Sequence, residues 1–210
     1  MSLNVLFRDD VLAVVDKPSG LLSCPGRGED KRDSVETRVP VVFPHATGSI
    51  TVHRLDQPAS GVMVVALNPH AHRVLRAQFE ARAVEKTYVA VLVGDVQGEQ
   101  GVVELPFRLD VERRPYQVFD PVHGKLGVTH WKVLERQRGR TRVLFSPRTG
   151  RTHQLRLHAS HPRGLGCPIA GDALYGDPTT APRLLLHAWR LVFAHPVSGE
   201  RLEFEAPVPF

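Results

Sequence analysis

The chain has 210 residues, with 27 Lys and Arg against 22 Asp and Glu, a formal charge of +5 and a pI near 9.6. That length suits one compact catalytic domain spanning residues 1–210, and no stretch approaches the roughly 20 apolar residues that cross a bilayer, so no membrane partner is expected. Cys24 and Cys167 are the only cysteines, and they offer neither a close pair nor a metal-binding spacing. This argues against a disulfide framework or zinc ribbon and for a reducing, cytoplasmic setting.

Met1 to Asp10 lack the basic segment and apolar run of a secretory signal. Val11–Val15 reads as a buried strand and ends in the turn signal Asp16-Lys17-Pro18-Ser19-Gly20. Leu21 to Asp33 reads as an exposed loop. After the unusual segment His53-Arg54-Leu55-Asp56-Gln57-Pro58-Ala59-Ser60-Gly61, Val62–Leu67 is apolar throughout and predicts a strand buried on both faces. Asn68 has the chemistry of a helix N-cap and Pro69 that of a first helical residue. Ala71, Val74, Leu75 and Phe79 then share one face, with His70, Arg73, Arg76 and Arg82 on a solvated one. Further strands are predicted at Thr87–Val93, Gly127–Leu134, Arg142–Phe145 and Leu191–Phe193. A short helix is predicted at Arg151–His161, with Thr152 as its cap and Leu155 and Ala159 facing inward. Many strands with few helices point to an α+β architecture around a mainly antiparallel sheet.

Taken singly, the chemical groups carry ordinary explanations. Asp56 sits in a turn shaped by Pro58 and Gly61, where an aspartate is commonly a local cap. Tyr88 opens a strand and is either a sheet aromatic or a surface for stacking a base. His153 and His158 do not have the i, i+4 spacing of a metal pair, so no metal is expected. Arg156, between Leu155 and Leu157, calls for a carboxylate partner.

Together the segments are specific. Asp16-Lys17-Pro18-Ser19-Gly20-Leu21, His53-Arg54-Leu55-Asp56, Lys86-Thr87-Tyr88, Gly150-Arg151-Thr152-His153-Gln154-Leu155-Arg156, Gly171-Asp172 and Leu186-His187-Ala188 occur in order, and in them the chain resembles the RluA family of pseudouridine synthases. The resemblance implies a mixed, mainly antiparallel sheet with flanking helices and a central RNA-binding cleft. It also implies the short form, since the catalytic signature begins too early to leave room for an S4 RNA-binding domain.

The implied activity is the isomerisation of uridine in structured RNA, which breaks N1–C1′ and joins C5 to C1′ with no redox step, so no cofactor is expected. By the same resemblance Asp56 is the essential carboxylate, either attacking sugar or base or removing a sugar proton. Arg156 is expected to lie against it, favouring the ionised form, and Tyr88 to stack on the target uracil. Arg54 either supports the space left by the extruded base or contacts phosphate. His53, Lys86, Arg151 and His153 are further RNA-binding candidates, although the bland reading of His53 and of His187 is packing and hydrogen bonding around the site.

Arg113 and Arg114 are candidate phosphate contacts. They lie in Arg108–Gly127, which with Cys24–Asp33 is a segment expected to influence target choice. The implied targets are a stem-loop of 23S rRNA, the anticodon stem-loop of tRNA, or both, with a monomer as the default state. The competing reading is a non-catalytic RNA-binding protein or RNA chaperone built on this fold. A protein kinase is excluded, because the order in His53-Arg54-Leu55-Asp56 is wrong for its catalytic loop and no glycine-rich nucleotide loop exists.

Overall fold

The computed structural model describes residues 2–210, with Asp30 described by its backbone only. In chain order its elements are β1 (Asn4–Arg8), β2 (Leu12–Lys17), α1 (Val35–Val42), β3 (Ser60–Ala66), α2 (Pro69–Glu80), β4 (Glu85–Val93), β5 (Gln100–Leu109), β6 (Gln117–Phe119), β7 (Lys125–Gln137), β8 (Arg140–Pro147), α3 (Gln154–Ser160), β9 (Leu186–Ala194) and β10 (Arg201–Glu205). The fold is α+β, as expected. Its contacts fall into two compact units, one of Met1–Lys86 with His187–Pro209, the other of Thr87–Leu186 with Phe210.

In the first unit β1, β2 and β3 are antiparallel neighbours. β3 then pairs in parallel with β9, which pairs antiparallel with β10. Every residue of β3 is buried, which is why its sequence is a continuous apolar run instead of an alternation. One face of β2 and β3, with Leu12, Val14, Val62, Val64 and Ala66, packs with Ala71 and Leu75 of α2 and with Leu191 and Phe193 of β9. Helix α2 starts as predicted. The Asn68 side chain accepts from the Ala71 N–H at 2.9 Å, a cap worth about 1 kcal/mol. Its other end is tied to the sheet through Gln78, whose amide donates to the Ala194 carbonyl at 2.8 Å and accepts from the Ala194 N–H at 2.9 Å.

The parallel pairing of β3 with β9 rests on Ser60↔His187 and Gly61↔Ala188. Gly61 has φ 116°, and a Cβ there would collide with the Ala188 carbonyl oxygen. Only glycine satisfies both the backbone angle and the close approach. Beside it Ser60 Oγ hydrogen-bonds His187 Nδ1 at 2.9 Å, and His187 Nε2 lies 3.2 Å from the Ala206 carbonyl.

The second unit is an antiparallel sheet in the order β4-β8-β7-β5-β6. Val103, Leu105 and Phe107 of β5 pack with Leu157 of α3. Strands β4, β7, β8 and β9 each extend beyond their predicted limits. Helix α3 begins later than predicted, and Thr152 does not cap it. The N-cap is His153, at φ 56°, with no side-chain cap bond. Gln154 organises the turn instead: its Oε1 accepts from the Thr149 hydroxyl at 2.7 Å and from the Arg151 N–H at 3.2 Å.

Candidate active site

In the first unit the loop carrying Asp56 is held from below by the Asp16–Leu21 turn. Lys17 is fully buried, and its ammonium donates to the carbonyls of Leu21 at 2.7 Å, Pro18 at 3.0 Å and Gln57 at 3.2 Å. A buried ammonium requires such partners, and three carbonyls match its three N–H groups. Ser19 Oγ donates to the Pro58 carbonyl at 2.7 Å, and Gly20 N to that of Gln57 at 2.9 Å. Ser23 adds a two-way clasp on Leu55, donating to its carbonyl at 2.8 Å and accepting from its N–H at 3.0 Å. Residues on both sides of Asp56 are thereby fixed, and the Asp56 carbonyl closes a turn by accepting from Ala59 N at 3.1 Å.

Exchanging Lys17 for Met keeps most of the stem volume and strands buried carbonyls. The expected result is a loss of roughly 2–4 kcal/mol of stability in urea denaturation, together with a lower kcat at saturating RNA.

His53 stacks on Phe79 of α2, with ring centroids 4.5 Å apart, and its Nε2 accepts from the Val64 N–H at 3.2 Å. Burial and the nearby Lys86 ammonium push its pKa down to about 3, while burial and Arg82 lower that of Lys86. His53 and Lys86 are thus brought together, and the imidazole is neutral. The linkage has a definite sign. Above about pH 6.5 neither the folded nor the unfolded imidazole is charged, and below that the unfolded chain takes up a proton that the fold refuses. Stability is expected to fall as pH drops from about 6.5 toward 3. Urea midpoints measured across that range check this, and His53→Gln is expected to flatten part of the slope. Arg54 is exposed.

In the second unit Arg156 and Asp172 form a buried bidentate pair, with Nε–Oδ2 at 2.8 Å and Nη2–Oδ1 at 2.6 Å. Arg156 is 3% exposed and Asp172 not at all. Within its own unit the carboxylate that Arg156 faces is thus Asp172. Burial raises the Asp172 pKa, but the Arg156 guanidinium and the N–H groups of Leu174 and Tyr175 outweigh it and leave the carboxyl below its usual range.

Gly171, at φ 75°, precedes this aspartate because a Cβ there would strike the Arg183 carbonyl. The guanidinium lies 5.3 Å from the ring centroid of Tyr175. That tyrosine's hydroxyl is 2.9 Å from His153 Nδ1 and accepts from Gln117 N at 2.8 Å.

Tyr88 lies on β4 opposite Phe145 and is half-buried. Arg151 spends its Nε on the Leu126 carbonyl at 2.9 Å. Arg113 and Arg114 share the exposed β5–β6 tip, where Arg113 Nε is 2.8 Å from Asp110 Oδ2. His158 is buried, and neither ring nitrogen has a hydrogen-bond partner among the described residues. Among the described residues no group of three or more His, Cys, Asp or Glu is placed to hold a metal ion, and no helix is long and apolar enough to cross a membrane.

Sequence reasoning left the parts of Lys17, Ser23, Asp172 and Tyr175 unassigned. Lys17 and Asp172 lay inside matched motifs, and a charged residue beside a strand or after Gly171 was the available signal. Ser23 gave none.

This arrangement of motifs defines an RNA-modifying isomerase: the chain belongs to the RNA pseudouridylate synthase family, whose profile matches residues 11–161. It is an RNA pseudouridine synthase, which settles the choice against the non-catalytic alternative. It is 46% identical over 212 residues to the dual-specificity RNA pseudouridine synthase RluA of Escherichia coli O6:H1, covering 99% of this chain and 94% of that one. Against the enzyme of the same name from Yersinia pestis it is 44% identical over 210 residues, covering 98% and 99%. Among solved structures, Human RNA Pseudouridylate Synthase Domain Containing 1 matches with a TM-score of 0.80 and 30% identity, covering 100% of this chain and 84% of that one.

Proposed function

We propose that this synthase isomerises a uridine in a stem-loop of 23S rRNA, in the anticodon stem-loop of tRNA, or in both. It acts as a cytoplasmic monomer, with residues 1–210 as one catalytic domain and no cofactor. The observation that carries this reading is the full-length likeness to enzymes named as dual-specificity synthases.

Asp56 is the essential carboxylate, Arg156 the cation that acts with it, and Tyr88 the aromatic surface for the uracil. The N1–C1′ bond breaks, the base turns, C5 bonds to C1′, the C5 proton leaves and N1 gains one. A base in a strained loop is extruded at less cost than one in a duplex, at most a few kcal/mol. Arg54, His53, Lys86, Arg151, His153, Arg113 and Arg114 supply the RNA contacts. The clasping of the Asp56 loop by Lys17 and Ser23 supports the assignment, because a reacting carboxylate needs a fixed direction.

Mapping pseudouridines in total RNA from cells with and without the gene tests the target. The expected result is loss at one or more loop uridines of rRNA or tRNA, restored by the wild-type gene. An unchanged map overturns the reading.

A further inference from the structure

The β5–β6 hairpin holds its tip by little of its own. Strands β5 and β6 pair through Phe107↔Phe119, Arg108↔Val118 and Leu109↔Gln117, with Arg108 Nε 2.5 Å from Asp120 Oδ2 across them, and so short a ladder does little to place the tip beyond it. The tip itself is ordered locally. Asp110 accepts from the N–H groups of Glu112 at 3.1 Å and Arg113 at 3.2 Å, and its own N–H donates to the Tyr116 carbonyl at 2.9 Å. This packaging leaves Arg114 exposed at the apex. What it does not fix is where the apex stands.

Gln117, the first paired residue after the tip, is buried, and its N–H is bound at 2.8 Å by the Tyr175 hydroxyl. The same hydroxyl meets His153 Nδ1 at 2.9 Å, in the left-handed turn that starts α3. The Tyr175 ring lies against the Arg156 guanidinium, at 5.3 Å, and edge-on to Tyr116, at 5.8 Å. Its backbone N–H is one of the donors to Asp172 Oδ1, at 3.1 Å. One side chain therefore touches the buried ion pair, the α3 turn and the root of the hairpin.

We propose that Tyr175 is a positioning residue whose hydroxyl ties the root of the β5–β6 hairpin to the His153 turn and so sets where the Arg113–Arg114 tip stands relative to Arg156. The hydroxyl accepts from the Gln117 N–H and shares a second hydrogen bond with His153 Nδ1. The ring on Arg156 is not needed for this link, so Tyr175→Phe removes the tie and keeps the packing. The functional consequence rests on the stem-loop reading above, because a fixed basic tip is useful only against a folded RNA with phosphates at a set distance from the target base.

Two measurements test it. In RNA-free protein, amide hydrogen exchange at Gln117 is expected to quicken at least tenfold in Tyr175→Phe. In turnover of a stem-loop substrate, KM is expected to rise five- to tenfold with kcat within twofold of wild type. Arg114→Ala is expected to raise KM at least threefold in the wild-type background and to add less than twofold in the Tyr175→Phe background, since residues coupled through a shared backbone shift are non-additive. Unchanged exchange at Gln117 overturns the proposal whichever RNA proves to be the substrate. Full additivity with Arg114→Ala, or a fall in kcat at constant KM, overturns it as well. Failure of the wild-type enzyme to act on the stem-loop sinks the target reading alone, and the exchange result still decides the tie.

Discussion

Asp56→Asn is expected to lower turnover by at least about 10³-fold while RNA affinity stays within about tenfold, a difference of ~1.4 kcal/mol. Asparagine has the shape of aspartate and leaves the clasps around it untouched: Lys17 on Gln57, Ser19 on Pro58 and Ser23 on Leu55. The substitution removes the negative charge and the basicity on which the proposed role depends. Tritium release from a transcript labelled at uridine C5 reads turnover, and filter binding at fixed salt reads affinity. Wild-type turnover by the variant would remove Asp56 from the chemistry. A loss of binding equal to the loss of turnover would make it a binding residue.

Asp172→Ala is expected to destabilise the protein by about 3–5 kcal/mol, because it leaves the guanidinium of Arg156 buried and without its bidentate carboxylate. The N–H groups of Leu174 and Tyr175 lose an acceptor at the same time. At a chain length of this order each kcal/mol moves Tm by about 2–4 °C, so thermal denaturation resolves the effect easily.

The pH dependence has a definite sign. The folded carboxyl titrates below the usual range, so its contribution is present above the unfolded value near pH 4 and disappears as pH falls through the folded pKa. The difference between wild type and Asp172→Asn is therefore expected to shrink below about pH 4. A stability loss under 1 kcal/mol for Asp172→Ala at pH 7 would mean that Arg156 finds an equal partner elsewhere.

Elements governed by neighbours in sequence were legible. Asn68-Pro69 marks the start of α2 because a side-chain cap and a preset φ act within one turn. The run from Val62 marks β3 because full burial demands unbroken apolarity. Elements that depend on distant partners were not. Strand β5 contains Gly101 and Pro106, both of which argue against a strand locally, and it exists through its long pairing with β7. Helix α1 is rich in β-branched residues and carries Pro40. Its start is set by the Ser34–Thr37 capping box, which lacks the usual acidic or amide residue at the third position. Thr152 looked like the cap of α3, but the helix starts after His153 with no side-chain cap, and Gln154 folds back onto Thr149 and Arg151 to hold the preceding turn.

The site divides the same way. The amino-acid sequence by itself determined the family and, through it, the expectation that Asp56 reacts and that Arg156 needs an acidic partner, since residue type and order carry chemistry. Only the tertiary structure decided that this partner is Asp172, that Lys17 anchors the Asp56 loop, and that Tyr175 joins the hairpin root to α3. Each of these links residues tens of positions apart or depends on burial. Whether a charge is solvated or must find a partner depends on how much water remains around it, and that is settled only when the chain has packed.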